Sequence, residues 1–365
     1  MEHEPPHILL IEDNPGDADL VRLRLVESKS EVHVNCVPRL SDALACLDAE
    51  TPSLVLLDLN LPDSHGAETF RRIRQKAPNV PVVILSGQDD EALAIKAVHQ
   101  GVQDYLVKSD ITSKQLERAL RYAIERQGLL RSLEITRQQQ LEFKNRFLSH
   151  VSHELRTPLA GLRMYSEMLA DGLGDPAHTR DYANRVAEEA ARLGRVVSNV
   201  LGFSRLERGA LHVRPLPGDL ATAVRECVER QRPALEAAGA RVELSVPDRF
   251  PEVRFDRDAI VEIIQNLMDN AEKYTRTARD RQIHVALSSA DGSVTLSVRD
   301  HGPGIPADVR EKLFRPFARG NRDDSPAGLG LGLVLVQALA KAHGGQVNCA
   351  DAPGGGALFT VTLPR

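Results

Sequence analysis

Glu12, Asp13 and Asp58 each close a run of apolar residues, and so do Ser86 and Lys108. Three acids gathered at one place repel one another unless a cation sits among them. Hard carboxylate oxygens with room for water suit Mg²⁺. A carboxylate beside such a metal is a nucleophile toward a phosphoryl group. The ammonium of Lys108 and the hydroxyl of Ser86 have the chemistry to hold the transferred oxygens. A second nucleophile lies in the stretch Phe147–Leu159. On a helix His153 falls between Val151 and Leu155, both apolar seam positions, so its imidazole is predicted to face solvent. A neutral imidazole is a good nucleophile near neutral pH. Glu154 is placed to hydrogen-bond the other ring nitrogen and fix its tautomer. His150, three residues upstream, reads as a bystander. Thr157 stands where a second zinc-binding histidine would be needed, which excludes an HExxH metal site.

A third group has the chemistry of a nucleotide site. Asn266, Asn270 and Lys273, with Tyr274 beside them, recur at helical spacing on one face. Amide oxygens hold Mg²⁺ and a lysine holds phosphate. Asp300 precedes Gly302 and Gly304 after an apolar run. A carboxylate only accepts hydrogen bonds, so it can select an exocyclic amine such as that of adenine, and the glycines let backbone approach a flat base. Gly328, Gly330 and Gly332 open a helical stretch, an arrangement suited to phosphates. There is no Walker lysine motif.

These residues need elements to hold them. The first ~110 residues alternate apolar strands (7–12, 32–37, 54–57, 82–85, 103–107) with helical segments near 17–28, 41–49, 65–76, 89–99 and from 112 onward. Strands apolar throughout, with helices between, predict a parallel sheet covered on both faces, with chemistry at the carboxyl ends of the strands. From Thr112 to Ser149 glycine is nearly absent and proline is missing. Leu116, Leu120, Ala123, Leu130, Leu133, Leu141, Phe147 and Leu148 recur at three- and four-residue steps, a long helix with coiled-coil tendency. Two cleaner seams follow. Leu148, Val151, Leu155, Leu159, Leu162, Tyr165 and Leu169 form the first. Tyr182, Val186, Leu193, Val196, Val197, Val200 and Leu201 form the second, beyond the break at 171–176. They predict an αα-hairpin whose apolar stripes are covered when two copies pair into a four-helix bundle, hence a homodimer. Pro158 is expected to bend the first helix. The last ~150 residues predict helices near 219–238, 257–275 and 330–343 and strands near 241–246, 283–288, 293–299, 346–350 and 357–363, an α+β sandwich.

The chain has 365 residues, 42% hydrophobic and 27% charged, with a net charge of −5. That is an ordinary globular balance and argues against a general nucleic-acid binder. Four scattered cysteines without CxxC spacing predict neither a disulfide framework nor a zinc site. No apolar run reaches the length of a membrane helix and the first residues do not resemble a signal peptide, so a cytoplasmic protein without membrane insertion is expected.

The strings LLIEDNPGD, LVLLDLNLPD, VILSG and VQDYLVKSD resemble the receiver domain of bacterial response regulators. The resemblance implies that Asp58 accepts a phosphoryl group, that Glu12, Asp13, Asp58 and the carbonyl of Asn60 handle Mg²⁺, that Ser86 and Lys108 bind phosphoryl oxygens, and that Tyr105 reorients on phosphorylation. Ser109 stands where many receivers have proline, which bears on the loop that follows. SHELRTPL (152–159) resembles the phospho-acceptor box of sensor histidine kinases. That implies phosphorylation of His153 and a role for Thr157 in positioning water for phosphatase action on a receiver. The Asn266–Tyr274, Asp300–Gly304, Phe314–Phe317 and Gly328–Gly332 motifs together resemble the ATP-binding domain shared by histidine kinases, Hsp90-type chaperones and gyrase-type ATPases. By that likeness Asp300 reads adenine, Asn270 binds Mg²⁺ and residues 306–330 form a lid.

The expected organisation is a flavodoxin-like α/β receiver (1–125), a helical linker (126–148), a dimerisation and histidine phosphotransfer hairpin (149–212) and an ATP-binding domain (213–365). The expected activity is that of a protein histidine kinase using ATP and Mg²⁺. Its phosphotransfer partner is a response regulator or another kinase, and Asp58 either accepts the phosphoryl group or regulates the kinase. The alternative is a receiver-controlled, ATP-binding dimeric scaffold without kinase activity.

Overall fold

The computed structural model describes residues 5–28, 31–87, 104–172, 176–290, 292–318 and 328–365. The helix expected near 89–99, Gln103, and the lid residues Gly320 and Ala327 lie outside these. The chain divides into two compact units, Met1–Lys144 and Asn145–Arg365.

In the first unit, five parallel strands pair in the order His33–Val37, His7–Ile11, Leu54–Asp58, Val82–Ser86, Asp104–Val107. The three central strands are buried along their length or nearly so, because layers pack on both faces. One layer centres on Leu40, Phe70 and Ile73, the other on Val21, Leu25, Leu116 and Leu120. Asn14 caps the helix Pro15–Glu27 by accepting from Gly16 N–H, with proline at the first helical position. Asp63 caps Leu40–Ala49 from a distance, taking the N–H groups of Leu40 and Ser41 at 2.9 Å each. A two-residue ribbon, Asn60–Leu61 with Ser64–His65, was not expected from the sequence.

One helix runs from Ser113 to Ala170, 58 residues, continuing through Pro158. The bend expected at Pro158 does not interrupt it. The periodic residues Leu116, Leu120 and Ala123 belong to the core of the first unit. They are therefore not coiled-coil seam. Beyond them Leu129, Leu130, Leu133 and Leu141 are exposed.

In the second unit the end of that helix is followed by the helix Pro176–Glu207. Leu148, Leu159, Met164, Val197 and Leu201 are exposed large apolar side chains on these two helices. A five-stranded sheet follows, ordered Gln346–Asp351, Ala357–Pro364, Ser293–Arg299, Gln282–Ala290, Arg241–Ser245. Only the last pair is parallel. Strict alternation in Gln282–Leu287 and Ser293–Arg299 buries one face. Onto that face pack Leu220–Ala237, Arg257–Thr275 and Gly332–Ala342, sharing a core that includes Val224, Ile263, Leu267, Val285, Val336 and Val361. Two short strands, Leu216–Gly218 and Val253–Phe255, pair antiparallel and were too brief to carry a periodic signal.

Candidate functional site

The parallel sheet brings Glu12, Asp13 and Asp58 together, with one carboxylate oxygen of each within 4.8 Å of the others. Glu12 and Asp58 are buried and Asp13 is exposed. Lys108 Nζ lies 2.6 Å from Asp58 Oδ2, 2.7 Å from Glu12 Oε2 and 3.0 Å from Asp17 Oδ2. Asp17 had not been singled out from the sequence, because it lies in the first turn of a helix rather than at a strand end. Burial pushes the Glu12 carboxyl up to about 7; Lys108 opposes that rise and Asp58 adds to it. Burial works against the charge of Lys108, but its three acidic partners more than offset it and raise its pKa. A carboxyl so poorly compensated by one ammonium fits a place for a divalent cation. Asn60 N–H donates to Asp58 Oδ1 at 3.0 Å, which fixes the Asp58 carboxylate. Ser86 is buried at the end of the neighbouring strand, its hydroxyl 3.4 Å from the Leu106 carbonyl. Tyr105 packs half-buried against the core.

In the second unit the imidazole of His153 is exposed on its helix. Thr157, one turn on and also exposed, donates its hydroxyl to the His153 carbonyl at 3.4 Å. Glu154 is buried, at 5% exposure. Its Oε1 accepts the N–H of Gly328 at 3.2 Å, and Arg192 stands 4.0 Å from Oε2. This link between the phospho-acceptor box and the glycine run was not foreseen, since residues 174 apart in sequence give no local signal of contact.

The helix Arg257–Thr275 presents Asn266, Asn270 and Lys273, all half-buried, with Tyr274 exposed beside them. Gly332 packs so near Asn266 that a Cβ there would lie 2.5 Å from Asn266 Oδ1. Lys273 reaches Gly328, where a Cβ would meet Nζ at 2.8 Å. Gly330 lies between them, at the turn that enters the helix Gly332–Ala342. Asp300 is buried, and its Oδ1 accepts from Gly302 N–H at 2.8 Å and Ala357 N–H at 3.0 Å. Both bonds fall on Oδ1, which leaves Oδ2 for a ligand donor. Burial raises the Asp300 carboxyl above its ordinary value, against the pull of those two N–H groups. At Gly302 a Cβ would meet the Tyr274 carbonyl at 2.9 Å, so this turn needs glycine. Gly304 follows two residues on in the left-handed region.

A ring cluster lies where the helices meet this lobe. Phe317 stacks on His150, with centroids 5.4 Å apart, and contacts Phe147 at 6.0 Å and Phe203 at 6.3 Å. Phe147 and Phe203 are themselves 5.6 Å apart. Phe317 has φ of +62°, a conformation that disfavours a side chain. Arg195 pairs with Asp269 at 3.4 Å, beside Asn270.

Three family models match the chain: the response regulator receiver domain over residues 8–121, the His Kinase A (phospho-acceptor) domain over 143–209, and the histidine kinase-, DNA gyrase B-, and HSP90-like ATPase over 255–365. The adaptive-response sensory kinase SasA of Synechococcus sp. (strain JA-2-3B'a(2-13)) is 30% identical over 258 residues, covering 70% of this chain and 68% of that protein. The alginate biosynthesis sensor protein KinB of Pseudomonas aeruginosa is 32% identical over 234 residues, 63% of this chain and 39% of that one. The chain thus spans well under half the length of KinB. Among solved structures, the Acinetobacter baumannii histidine kinase AdeS is 25% identical, with a TM-score of 0.43, over 58% of this chain and 97% of its own.

Proposed function

The chain belongs to the histidine kinases of two-component signalling, with a receiver domain ahead of its kinase domains, and on that premise we propose that it transfers the γ-phosphoryl group of ATP to His153. The observation that carries this reading is the bond from Gly328 N–H to Glu154. It ties the residue next to the nucleophile to the glycine run that suits phosphates. A ring nitrogen of His153 attacks the γ-phosphorus, the bond to the β,γ-bridging oxygen breaks, and ADP leaves. Asp300 Oδ2 accepts from the adenine amine, and Lys273 with the Gly328–Gly332 backbone holds phosphate oxygens. Catalysis is then mainly positioning and charge neutralisation.

Asn270 at the nucleotide, and Glu12, Asp13, Asp58 and the Asn60 carbonyl in the receiver, are the groups suited to hold Mg²⁺. The ion would supply charge neutralisation at phosphoryl oxygens. In the receiver, Asp58 takes a phosphoryl group while Lys108 and Ser86 hold its oxygens. Asp58 either receives it from a phosphohistidine or is loaded by another kinase and acts as input. The second role is supported by the helix Ser113–Ala170, which begins in the receiver core at Leu116 and carries His153. Thr157 is suited to orient water for dephosphorylating a receiver. The exposed apolar residues of the two helices support a homodimer, with a response regulator or a second kinase as partner. Among the described residues no helix is long and apolar enough to cross a membrane.

The test is incubation of the whole chain with γ-labelled ATP. A kinase yields an acid-labile, base-stable label that is lost in His153→Ala. A non-catalytic scaffold yields none. Asp58→Asn separates the two receiver roles: a changed rate of His153 labelling marks an input, and an unchanged rate with loss of a label that the wild type carries on Asp58 marks an acceptor.

A further inference from the structure

On the solvent face of the C-terminal sheet, His284 and His301 meet ring to ring. His284 lies between the buried Ile283 and Val285 and is therefore turned away from the core. It stands in register with Glu243 on one neighbouring strand and Arg299 on the other. His301 follows Asp300. The two Nε2 atoms are 3.0 Å apart and the ring centroids 5.2 Å apart. Each outer nitrogen has its own carboxylate: His284 Nδ1 lies 3.1 Å from Glu243 Oε2, and His301 Nδ1 lies 3.2 Å from Asp280 Oδ2. Glu243 is itself held by Gln282 Nε2 at 2.7 Å.

With the N–H of each ring on Nδ1, toward its carboxylate, both Nε2 lone pairs face each other; with a proton on one Nε2, that ring donates to the other. Two lone pairs held 3.0 Å apart repel unless something electropositive lies between them. Imidazoles whose far N–H is donated to a carboxylate are the usual ligands of a transition metal, because the carboxylate orients the ring and raises its basicity. Two imidazoles on one tetrahedral Zn²⁺, with Zn–N near 2.0–2.1 Å, put their nitrogens about 3.3 Å and their ring centres about 5.2 Å apart. The ring centres are already at that separation; a small rotation opens the nitrogens by about 0.3 Å. Both side chains are partly exposed, at 29% and 21%, so water can complete the coordination. Arg299, the nearest cation in register, is drawn off by the Pro353 carbonyl at 2.5 Å.

We propose that His284 and His301 form a two-histidine site for a divalent transition-metal ion of the Zn²⁺ class, backed by Glu243 and Asp280 and one residue from the adenine-facing Asp300. The site is separate from the Mg²⁺ positions and does not depend on the kinase reading. A metal there would clamp the strand Gln282–Ala290 to the turn that holds Asp300.

The experiment titrates Zn²⁺ into the full chain at neutral pH, with excess Mg²⁺ present and a chromophoric chelator in competition. The wild type and Asp58→Asn should bind one Zn²⁺ alike. His284→Gln and His301→Gln should weaken that binding at least tenfold, and Asp280→Asn about tenfold through ligand orientation. His284→Gln should keep the circular dichroism and thermal transition of the wild type, which shows that it is folded. If His284→Gln binds Zn²⁺ as tightly as the wild type, the ion is held elsewhere and the proposal fails. It fails equally if the wild type does not bind Zn²⁺ in competition with the chelator, because a shared proton then lies between the two nitrogens.

Discussion

The carboxylate of Glu154 accepts the backbone N–H of Gly328 at 3.2 Å, so the residue beside His153 is tethered to the glycine run of the C-terminal lobe. A hydrogen bond to a charged group contributes about 1.5–3 kcal/mol. Glu154→Ala removes both the acceptor and the charge. It should slow labelling of His153 by roughly 10- to 100-fold. Glu154→Gln keeps an acceptor oxygen for Gly328 and should retain more of the rate. Initial labelling rates at saturating ATP, set beside nucleotide affinity, measure this. Equal loss in both variants would assign the effect to charge at His153 and not to the tether.

The receiver site makes a prediction about cation competition. Lys108 occupies the ground between Glu12, Asp17 and Asp58. Lys108→Ala leaves these acids facing one another, so Mg²⁺ should bind more tightly than in the wild type even as the response to phosphorylation is lost. Glu12, raised to about 7, ionises only as pH rises through that value. Mg²⁺ affinity of the wild type should therefore fall between pH 8 and pH 6. Mg²⁺-dependent thermal shifts of the receiver transition, read across this range, provide the check. A pH-independent shift would remove Glu12 from the ligand set.

Much of this was legible in the sequence, for reasons that particular residues illustrate. The strand Leu54–Asp58 is buried at every position, so an apolar run ending in an acid announces both the element and its chemistry. Helix Arg257–Thr275 begins at Asp256, a good cap, and Asn266, Asn270 and Lys273 flank its apolar stripe. Hidden from the sequence were contacts between distant segments: Glu154 with Gly328, Arg195 with Asp269, Phe317 with His150. Periodicity places a side chain on a face but does not name the partner of that face. The same limit explains Leu116, Leu120 and Ala123, whose spacing fits a coiled coil as well as it fits their place in the receiver core.

Asp256 carries a stability prediction with a definite sign. Burial opposes its charge, but N–H groups of Arg214, Ala259 and Asp258 outweigh burial and lower its pKa. A depressed carboxyl stabilises the fold fully above the unfolded-state value and loses that contribution as pH falls through the folded one. Asp256→Ala should cost about 1–2 kcal/mol near neutral pH, the value of an N-cap. The difference from the wild type should shrink in acid. Hydrogen exchange of the helix Arg257–Thr275 in the whole chain reads this directly. Protection that falls equally at both pH values would show that the cap acts without its charge.

Phe317 ties the two long helices to the nucleotide lobe at the expense of a left-handed backbone, a conformation that costs about 1–3 kcal/mol for a residue with a side chain. The packing of its ring on His150, Phe147 and Phe203 offsets that cost. Phe317→Gly removes ring and strain together, so the domain should keep its stability and its ATP affinity while labelling of His153 falls several-fold. Phe317→Ala loses the ring but retains the strain, so it should be the less stable of the two. His150→Ala removes one face of the stack and should slow labelling without abolishing it, because the proposed acceptor is His153. Parallel measurement of thermal stability, nucleotide affinity and labelling rate separates these effects. A His150→Ala protein that takes no label would move the acceptor assignment itself.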